Sequence, residues 1–324
     1  MGSLPQIVED CMGVLQVFSD GSIKRCSLTD INVNIPVIDD GSVAFKDIIF
    51  DTKHKLSLRL YKPKSVNLNS KLPVVFYFHG GGFCVGSHVW PNCHNCCIRL
   101  SSGLQALVVA PGYRLAPEHK LPAAIDDAVS AVEWLQKEAL GESTNDAWIG
   151  GTADLNRVFV LGDSSGGNMA HHLAVRLGMG SVKAAPVRVR GYVLLAPFFG
   201  GVERTKSEEG PCEALLTLEI LDRFWRLSMP AEETRDNPMV NPFGPNSPNL
   251  EKVALDPILV VVGGNELLKD RVESYWKKLK DLGKKIEYVE FEGQEHGFLT
   301  NDPYSEVSNE ALQVIKRFMT ETCN

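Results

Sequence analysis

The segment "GDSSG", residues 162–166, places two serines between glycines, after the apolar run "VFVL" and before a helical pattern. A side chain exposed at the apex of a strand-to-helix turn needs a positive φ, and the residues two positions away must then be small. Only Ser164 has glycine at both of these positions, because Asp163 occupies the upstream one for Ser165. The pattern therefore predicts Ser164 as a nucleophile, with a turn of no chemical role as the alternative.

Three consecutive glycines, Gly80, Gly81 and Gly82, follow an apolar strand pattern in "FHGGGFCVG". Glycine lets the backbone bend and brings its N–H groups close to a substrate oxygen. Two of these amides and the N–H of Ser165 would stabilise the oxyanion of a tetrahedral intermediate, where losing one donor typically costs about 3 kcal/mol of barrier. The neighbouring His79 is expected to brace the loop rather than to act as a base.

A serine nucleophile needs a base, and the base needs a carboxylate that orients it. His296, in "EGQEHGF", is the only histidine downstream of Ser164 outside the adjacent pair His171 and His172. That pair lies in the helical pattern that follows the nucleophile and points to different sides, so it forms neither a metal pair nor an obvious base. We therefore predict His296 as the general base.

Two carboxylates follow the strand pattern "PILVVVGG". Glu266 lies in the turn beyond the strand end, where its side chain can reach a histidine. Asp270 stands three residues before Glu273 at the start of a helical pattern, a spacing typical of a helix cap. Glu266 is therefore the predicted acid, in the chain order serine, carboxylate, histidine, and Asp270 is the alternative.

Apolar strand patterns alternate with helical patterns after residue 40. "VAFKDIIF" and "LSLRLYKP" predict an opening antiparallel pair, and the later strands are short, apolar and bounded by proline or glycine. "PAAIDDAVSAVEWLQKEAL" begins with Pro122 and has helical spacing. This alternation predicts a single α/β domain over residues 1–324, with a mostly parallel sheet covered by helices on both faces.

Two segments interrupt the alternation, at about residues 1–40 and 200–250, and the second contains the amphipathic run "LLTLEILDRFWRLSM". Because ligands of open α/β sheets bind beyond the carboxyl ends of the strands, we expect these segments to form a helical lid there. Surface decoration is the alternative. Five apolar side chains near this edge are candidate pocket walls, although aromatic residues are as often buried in the core: Phe83, Phe198, Phe199, Leu215 and Phe224.

The composition is that of an ordinary globular protein, with 44% hydrophobic residues and a net charge of −7 over 324 residues. The mild acidity excludes nucleic acid as a main partner, since phosphate binding needs a concentrated basic surface. No apolar run approaches the roughly 18 residues of a membrane span, and the N-terminus lacks the pattern of a secretory signal. These features predict a cytoplasmic protein, with the nucleus as a second location.

Eight cysteines are present, three of them in "NCHNCC". Cys93, Cys96 and Cys97 have the spacing of one helix face, and no second Cys/His pair follows at zinc-ligand spacing. We expect them to be buried free thiols. The sequence predicts no metal and no cofactor.

The motifs "HGGGF", "YRLAPEH", "GDSSGGN" and "EHGF", in this order, resemble the hormone-sensitive-lipase-like branch of the α/β hydrolases, and within it the plant carboxylesterases. The resemblance covers nearly the full chain and implies an α/β-hydrolase fold with a helical lid. It also implies Ser164 as nucleophile, His296 as base, and Gly81, Gly82 and Ser165 as oxyanion donors.

The chain departs from the family pattern at two positions. The acid position, usually aspartate, falls on Glu266 in "NELLKD", which leaves open whether Asp270 shares the role. Gly112 stands where relatives carry a structural aspartate, and we expect no loss of chemistry from it.

Runs such as "EDCMGVLQ" and "RVRGYVLLAPFFGG" resemble plant carboxylesterases that hydrolyse strigolactones. The resemblance implies a serine carboxylesterase that acts on a small apolar ester or lactone through an acyl-enzyme. It alone implies a strigolactone substrate, attacked at its butenolide D-ring carbonyl. Two alternatives from related proteins are a lyase (a dehydratase or cyclase) and a hormone receptor without turnover. His296 disfavours the receptor, and the intact Ser164 favours hydrolysis over elimination.

Overall fold

The structure is a computed structural model that describes residues 4–65, 71–143, 146–211, 213 and 216–323. It begins with a small antiparallel sheet of three strands, β1 (Ile7–Cys11), β2 (Leu15–Phe18) and β3 (Ile23–Arg25). The N-terminal segment that we expect to contribute to a lid therefore contains strands rather than helices in its described part. Tight turns at Gly13 and Gly21, both with positive φ, reverse the chain between the strands.

The central sheet has eight strands in the order β11-β10-β9-β8-β6-β7-β5-β4. β4 and β5 pair antiparallel, as do β5 and β7, and the remaining neighbours pair in parallel. The predicted opening antiparallel pair and mostly parallel sheet are thus confirmed. The strands are β4 (Val43–Asp51), β5 (Leu56–Pro63), β6 (Leu72–Phe78), β7 (Leu107–Pro111), β8 (Ala153–Asp163), β9 (Val189–Leu195), β10 (Ile258–Gly263) and β11 (Ile286–Phe291).

Eight α-helices accompany the strands in the described part of the chain. A short 3₁₀ helix spans Leu250–Lys252. The helices are α1 (Pro91–Leu104), α2 (Ala123–Leu140), α3 (Ala147–Thr152), α4 (Ser165–Gly178), α5 (Leu218–Ser228), α6 (Lys269–Asp281), α7 (Phe298–Asn301) and α8 (Glu306–Glu321). None of the helices in the described ranges is long and apolar enough to cross a membrane.

The two faces of the sheet carry separate hydrophobic cores. Along β6, Val74, Phe76 and Phe78 contribute to one core, and Val75 and Tyr77 contribute to the other. This follows from the alternation of side chains along a strand. The first core is covered by α2, α4, α5 and α6, and the second by α1 and α8.

The three clustered cysteines lie on α1 and pack into the second core. Cys93, Cys96 and Cys97 are free thiols, and burial raises the pKa of each. Within the described ranges, no group of His, Cys, Asp or Glu side chains is arranged to hold a metal ion.

The turn from β8 into α4 brings backbone against backbone. A Cβ added to Gly162 would overlap the carbonyl oxygen of Gly166, and a Cβ on Gly166 would overlap the carbonyl oxygen of Phe78. The first turn of α4 can therefore lie against the ends of β8 and β6 only with glycine at both positions.

We expect Gly162→Ala to lower the free energy of unfolding by about 3 kcal/mol or more, because the added methyl must push α4 away from the sheet. Urea unfolding measures this. Gly151→Ala is the matched control: Gly151 lies in α3 with no atom within 4 Å of an added Cβ, so this change should be neutral or stabilise by up to about 1 kcal/mol. Equal stability of the two variants would contradict the close approach.

Candidate active site

Ser164 sits at the junction of β8 and α4 in a strained backbone conformation, with φ 54° and ψ −115°. Three hydrogen bonds hold it there. Its N–H donates to Leu195 O at 2.8 Å, and its carbonyl accepts from the N–H groups of Phe198 at 2.8 Å and Asn168 at 3.1 Å. Strain of this kind persists only where the surroundings over-determine it. The residue that the "GDSSG" pattern singled out is the one that adopts this geometry.

Ser164 and His296 line the same cavity, which has a volume of about 250 Å³. The glycine loop of residues 80–82 forms one side. Met12, from the turn between β1 and β2, and Leu216, which precedes α5, are also among its described lining residues. Both segments that interrupt the alternation of the chain therefore reach this cavity.

His296 is oriented by Glu266. The ring Nδ1 donates to Glu266 Oε2 at 3.0 Å, and the other carboxylate oxygen accepts the N–H of Gly263 at 2.6 Å. Glu266 is only 2% exposed. With Nδ1 engaged in this way, Nε2 is the ring nitrogen left for chemistry.

Negative charges around His296 favour its protonated form. Burial of the ring opposes protonation, but the hydrogen bond to Glu266 and the charges of Glu266, Asp163 and Glu213 outweigh it. Together they raise the pKa of His296 from 6.5 to about 9. The surroundings are therefore built to stabilise an imidazolium at this position.

Asp270, the alternative acid, faces a different partner. It accepts the N–H of Ser207 at 2.8 Å, and its own N–H donates to Ser207 Oγ at 3.2 Å. Asp270 therefore fastens the 200–217 segment to the start of α6, whereas Glu266 contacts His296.

The glycine loop turns sharply, with φ 118° at Gly81 and 58° at Gly82. The carbonyl of Gly81 accepts from Cys84 N at 3.0 Å and Val85 N at 2.9 Å, which closes the turn. Among the described residues, none accepts a hydrogen bond from the amide of Gly81 or Gly82. Both glycines line the cavity, so two backbone donors are available there.

His79 lies behind this loop. Its Nδ1 donates to Gly80 O at 2.7 Å, and its ring stacks on Tyr113 with centroids 4.3 Å apart. Burial lowers the pKa of His79 to about 3, so the ring stays neutral. Ser165, the first residue of α4, is fully buried beside Tyr113, with the two side-chain oxygens 3.4 Å apart.

Two of the predicted aromatic pocket walls line the cavity, Phe198 and Phe224. Phe83 and Phe199 are not among the lining residues of this cavity and lie in the core, which is the alternative that the sequence left open. Phe83 packs against Phe198 and Trp225, with centroids 6.2 Å away in each case. Phe199 packs against Tyr275 at 4.8 Å and His171 at 5.5 Å. Leu215 lies outside the described residues.

Sequence reasoning missed Asp163, a buried carboxylate beside the candidate nucleophile Ser164. Thr300 Oγ1 donates to Asp163 Oδ2 at 2.6 Å, and the Tyr77 hydroxyl lies 3.0 Å from the same threonine oxygen. Burial raises the pKa of Asp163, against the opposing effects of His296 and Thr300. Its signal in the sequence was a charged residue at the end of an otherwise apolar strand.

We expect the His296 ring to titrate near pH 9, because its carboxylate neighbours raise its pKa to about 9. Glu266→Gln should lower this value, since it removes the nearest negative charge. Histidine NMR over a pH series measures the shift. Asp270→Asn is the control and should leave the titration in place, because Asp270 contacts Ser207 instead. A larger shift from Asp270→Asn would make Asp270 the acid.

Comparisons with known proteins agree with this geometry. A family model for the α/β-hydrolase fold matches residues 75–300. The solved esterase of Pyrobaculum calidifontis aligns with a TM-score of 0.72 and 29% identity, covering 90% of this chain and 87% of that one. The predicted fold class is thereby confirmed.

Among curated relatives, tuliposide A-converting enzyme 1, chloroplastic, of Tulipa gesneriana is 34% identical over 94% of this chain and 75% of its own length. 2-Hydroxyisoflavanone dehydratase of Glycyrrhiza echinata is 34% identical over 94% of both chains. Probable carboxylesterase 2 of Arabidopsis thaliana is 29% identical over 98% of this chain and 97% of its own. The chain therefore belongs to the α/β-hydrolase family and is an esterase-type α/β hydrolase of the plant carboxylesterase family.

Proposed function

We propose that this protein is a serine carboxylesterase that hydrolyses a small apolar ester or lactone through Ser164, His296 and Glu266. The observation that carries the proposal is the hydrogen bond from His296 Nδ1 to the buried Glu266, 3.0 Å long. It holds the histidine in the cavity that also contains Ser164 at its strained turn.

In the proposed first half-reaction, His296 Nε2 takes the proton of Ser164 while the serine Oγ attacks the ester carbonyl carbon. The amides of Gly81, Gly82 and Ser165 donate to the oxyanion of the tetrahedral intermediate. When the carbon–oxygen bond of the ester breaks, His296 gives its proton to the leaving oxygen. From an ester, an alcohol or enol departs and the acyl group stays on Ser164; from a lactone, the freed hydroxyl remains attached to that acyl group.

In the second half-reaction, a water molecule attacks the acyl carbonyl and His296 accepts the water proton. Collapse of the second intermediate returns that proton to Ser164 Oγ and releases the acid. Glu266 remains ionised throughout and stabilises the imidazolium that forms in each step.

The finer proposal for the substrate is a strigolactone, attacked at the carbonyl of its butenolide D-ring. The motif resemblance supports it, and the largely apolar lining that includes Phe198, Leu216, Ile220 and Phe224 suits an apolar ligand. Fold alone does not set a substrate, so the compound is the part of the proposal to test directly.

A second candidate is elimination of water. The relative at 34% identity that is named a 2-hydroxyisoflavanone dehydratase favours it. A histidine base can remove a substrate proton for elimination as readily as it removes a serine proton. Product mass separates the reactions, because hydrolysis adds water to the substrate and elimination removes it.

We expect wild-type protein to split a synthetic strigolactone into its ABC and D-ring fragments, and Ser164→Ala to lose this turnover by about 10⁴-fold or more while still binding the ligand. Mass spectrometry of the products and calorimetric binding measure the two effects. Turnover retained by Ser164→Ala would remove the serine from its role. An intact hormone with wild type, alongside hydrolysis of simple aryl esters, would reject the strigolactone alone.

The rate should rise with pH, because only the neutral ring of His296 can accept the serine proton. With its pKa raised to about 9, kcat/KM for an aryl ester should increase up to about pH 9 and then level off. The effect on stability has the opposite sense: the protonated ring stabilises the fold fully below pH 6.5, and this contribution is lost as the pH rises through about 9. A kcat/KM already level at neutral pH would contradict the proposed charge state.

A further inference from the structure

Glu213 is a buried carboxylate in the 200–217 segment, only 6% exposed. Its two oxygens accept from two different loops. Oε1 accepts the N–H of Leu267 at 2.6 Å, and Oε2 accepts the N–H of His296 at 2.6 Å. Leu267 directly follows Glu266, so a single side chain bonds to the backbone of both loops that carry the proposed acid and base.

The segment that delivers Glu213 is itself fastened to the acid loop. Ser207 Oγ donates to Leu267 O at 2.7 Å, and the Ser207 N–H donates to Asp270. The buried carboxylate of Glu208 pairs with Arg271 on α6, with Nε and Oε1 2.9 Å apart. These contacts fix the segment against the acid loop, independently of Glu213.

The hydrogen bonds of Glu213 favour its ionised form. Both of its oxygens accept N–H donors, which is the arrangement that an ionised carboxylate satisfies. Burial raises the pKa of Glu213, and its two amide donors and His296 act in the other direction. Three carboxylates from separate elements thus face His296: Asp163 at the end of β8, Glu266 after β10, and Glu213 from the 200–217 segment.

We propose that Glu213 is a positioning residue for catalysis, which holds the acid and base loops in register and supplies negative charge to the histidine. This inference rests on the proposed function of His296 as base. Without Glu213, the amides of Leu267 and His296 lose their acceptor in a buried place, and the two loops lose their common anchor. The histidine would then reach the serine in the wrong orientation more often, which reduces kcat rather than substrate binding.

Glu213→Gln tests this. The amide keeps the volume and one acceptor, but it removes the charge and turns an NH₂ group toward one backbone N–H. We expect kcat for an aryl ester to fall by roughly 10- to 100-fold with KM changed by no more than about twofold. The rising limb of the pH–rate profile should move to lower pH, because removing a negative charge lowers the pKa of His296.

Glu208→Gln is the matched control, since it removes a buried carboxylate from the same segment that pairs with Arg271 rather than with His296. It should lower stability and leave the pH limb unchanged. If both variants lose activity only in proportion to their loss of stability, and the rising limb of the pH–rate profile stays at the same pH in both, Glu213 has only a structural role. The proposal is then wrong. The proposal is also wrong if Glu213→Gln has the kcat of the wild type and the same pH–rate profile.

If Glu213→Gln does not fold, Glu213→Asp is the variant that tests the proposal. Aspartate keeps the charge, but its side chain is too short to accept from both backbone amides. We therefore expect kcat to fall while the rising limb of the pH–rate profile stays at the same pH. A wild-type kcat would reject the proposal. Histidine NMR separates this result from a failure of the proposed function. If wild-type protein hydrolyses no ester, an unchanged His296 titration in Glu213→Gln still overturns the inference, and a lowered His296 pKa in that variant supports it.

Discussion

The rest of the site depends on how closely the first turn of α4 approaches the sheet. The backbone of Gly166 lies against the ends of β8 and β6, so no side chain fits at either glycine of the turn. The chain can make this turn only by placing Ser164 at φ 54°. That conformation puts the serine on the cavity wall and the start of a helix beside it. The proposed nucleophile and one proposed oxyanion donor therefore have a common origin in steric exclusion.

The negative charges around His296 have opposite effects on its neutral form, which accepts a proton, and on its protonated form. Three carboxylates favour the imidazolium, which lowers the fraction of neutral base at pH 7. In the proposed attack, the ring must hold the serine proton, and the same charges lower the energy of this protonated form. Burial keeps these interactions strong, because little water is present to screen them. A histidine with fewer acidic neighbours would be neutral more often and would stabilise the ion pair less.

Much of this arrangement was readable from the sequence because it rests on local rules. Glycine at both offsets of Ser164 reflects a local steric requirement, and the position of Glu266 beyond a strand end follows from the strand pattern itself. Strand alternation likewise predicted the order and type of the central elements. The N-terminal strands were missed although the pair Asp20–Gly21 is a hairpin signal.

Other features depend on contacts that periodicity does not encode. Glu213 meets its partners 54 and 83 positions further along the chain, and nothing in its neighbourhood marks it as buried. Phe83 and Phe199 are as apolar and as buried as Phe198 and Phe224, yet only the second pair is among the residues that line the cavity. The sequence shows that these residues are apolar or acidic, but it does not show how deeply each side chain is buried or which of them face the cavity.

Two residues of the 200–217 segment have different contacts: Glu213 accepts hydrogen bonds from the loops that carry the proposed acid and base, and Leu216 lines the cavity. Substitutions here that reshape the pocket should also disturb the proposed base, His296. Ile220 and Phe224, on α5, line the cavity as well, and their apolar side chains cannot hydrogen-bond to the loops of the proposed acid and base. We therefore expect substitutions that change the substrate to accumulate on α5, whereas the residues around Glu213 should change more slowly.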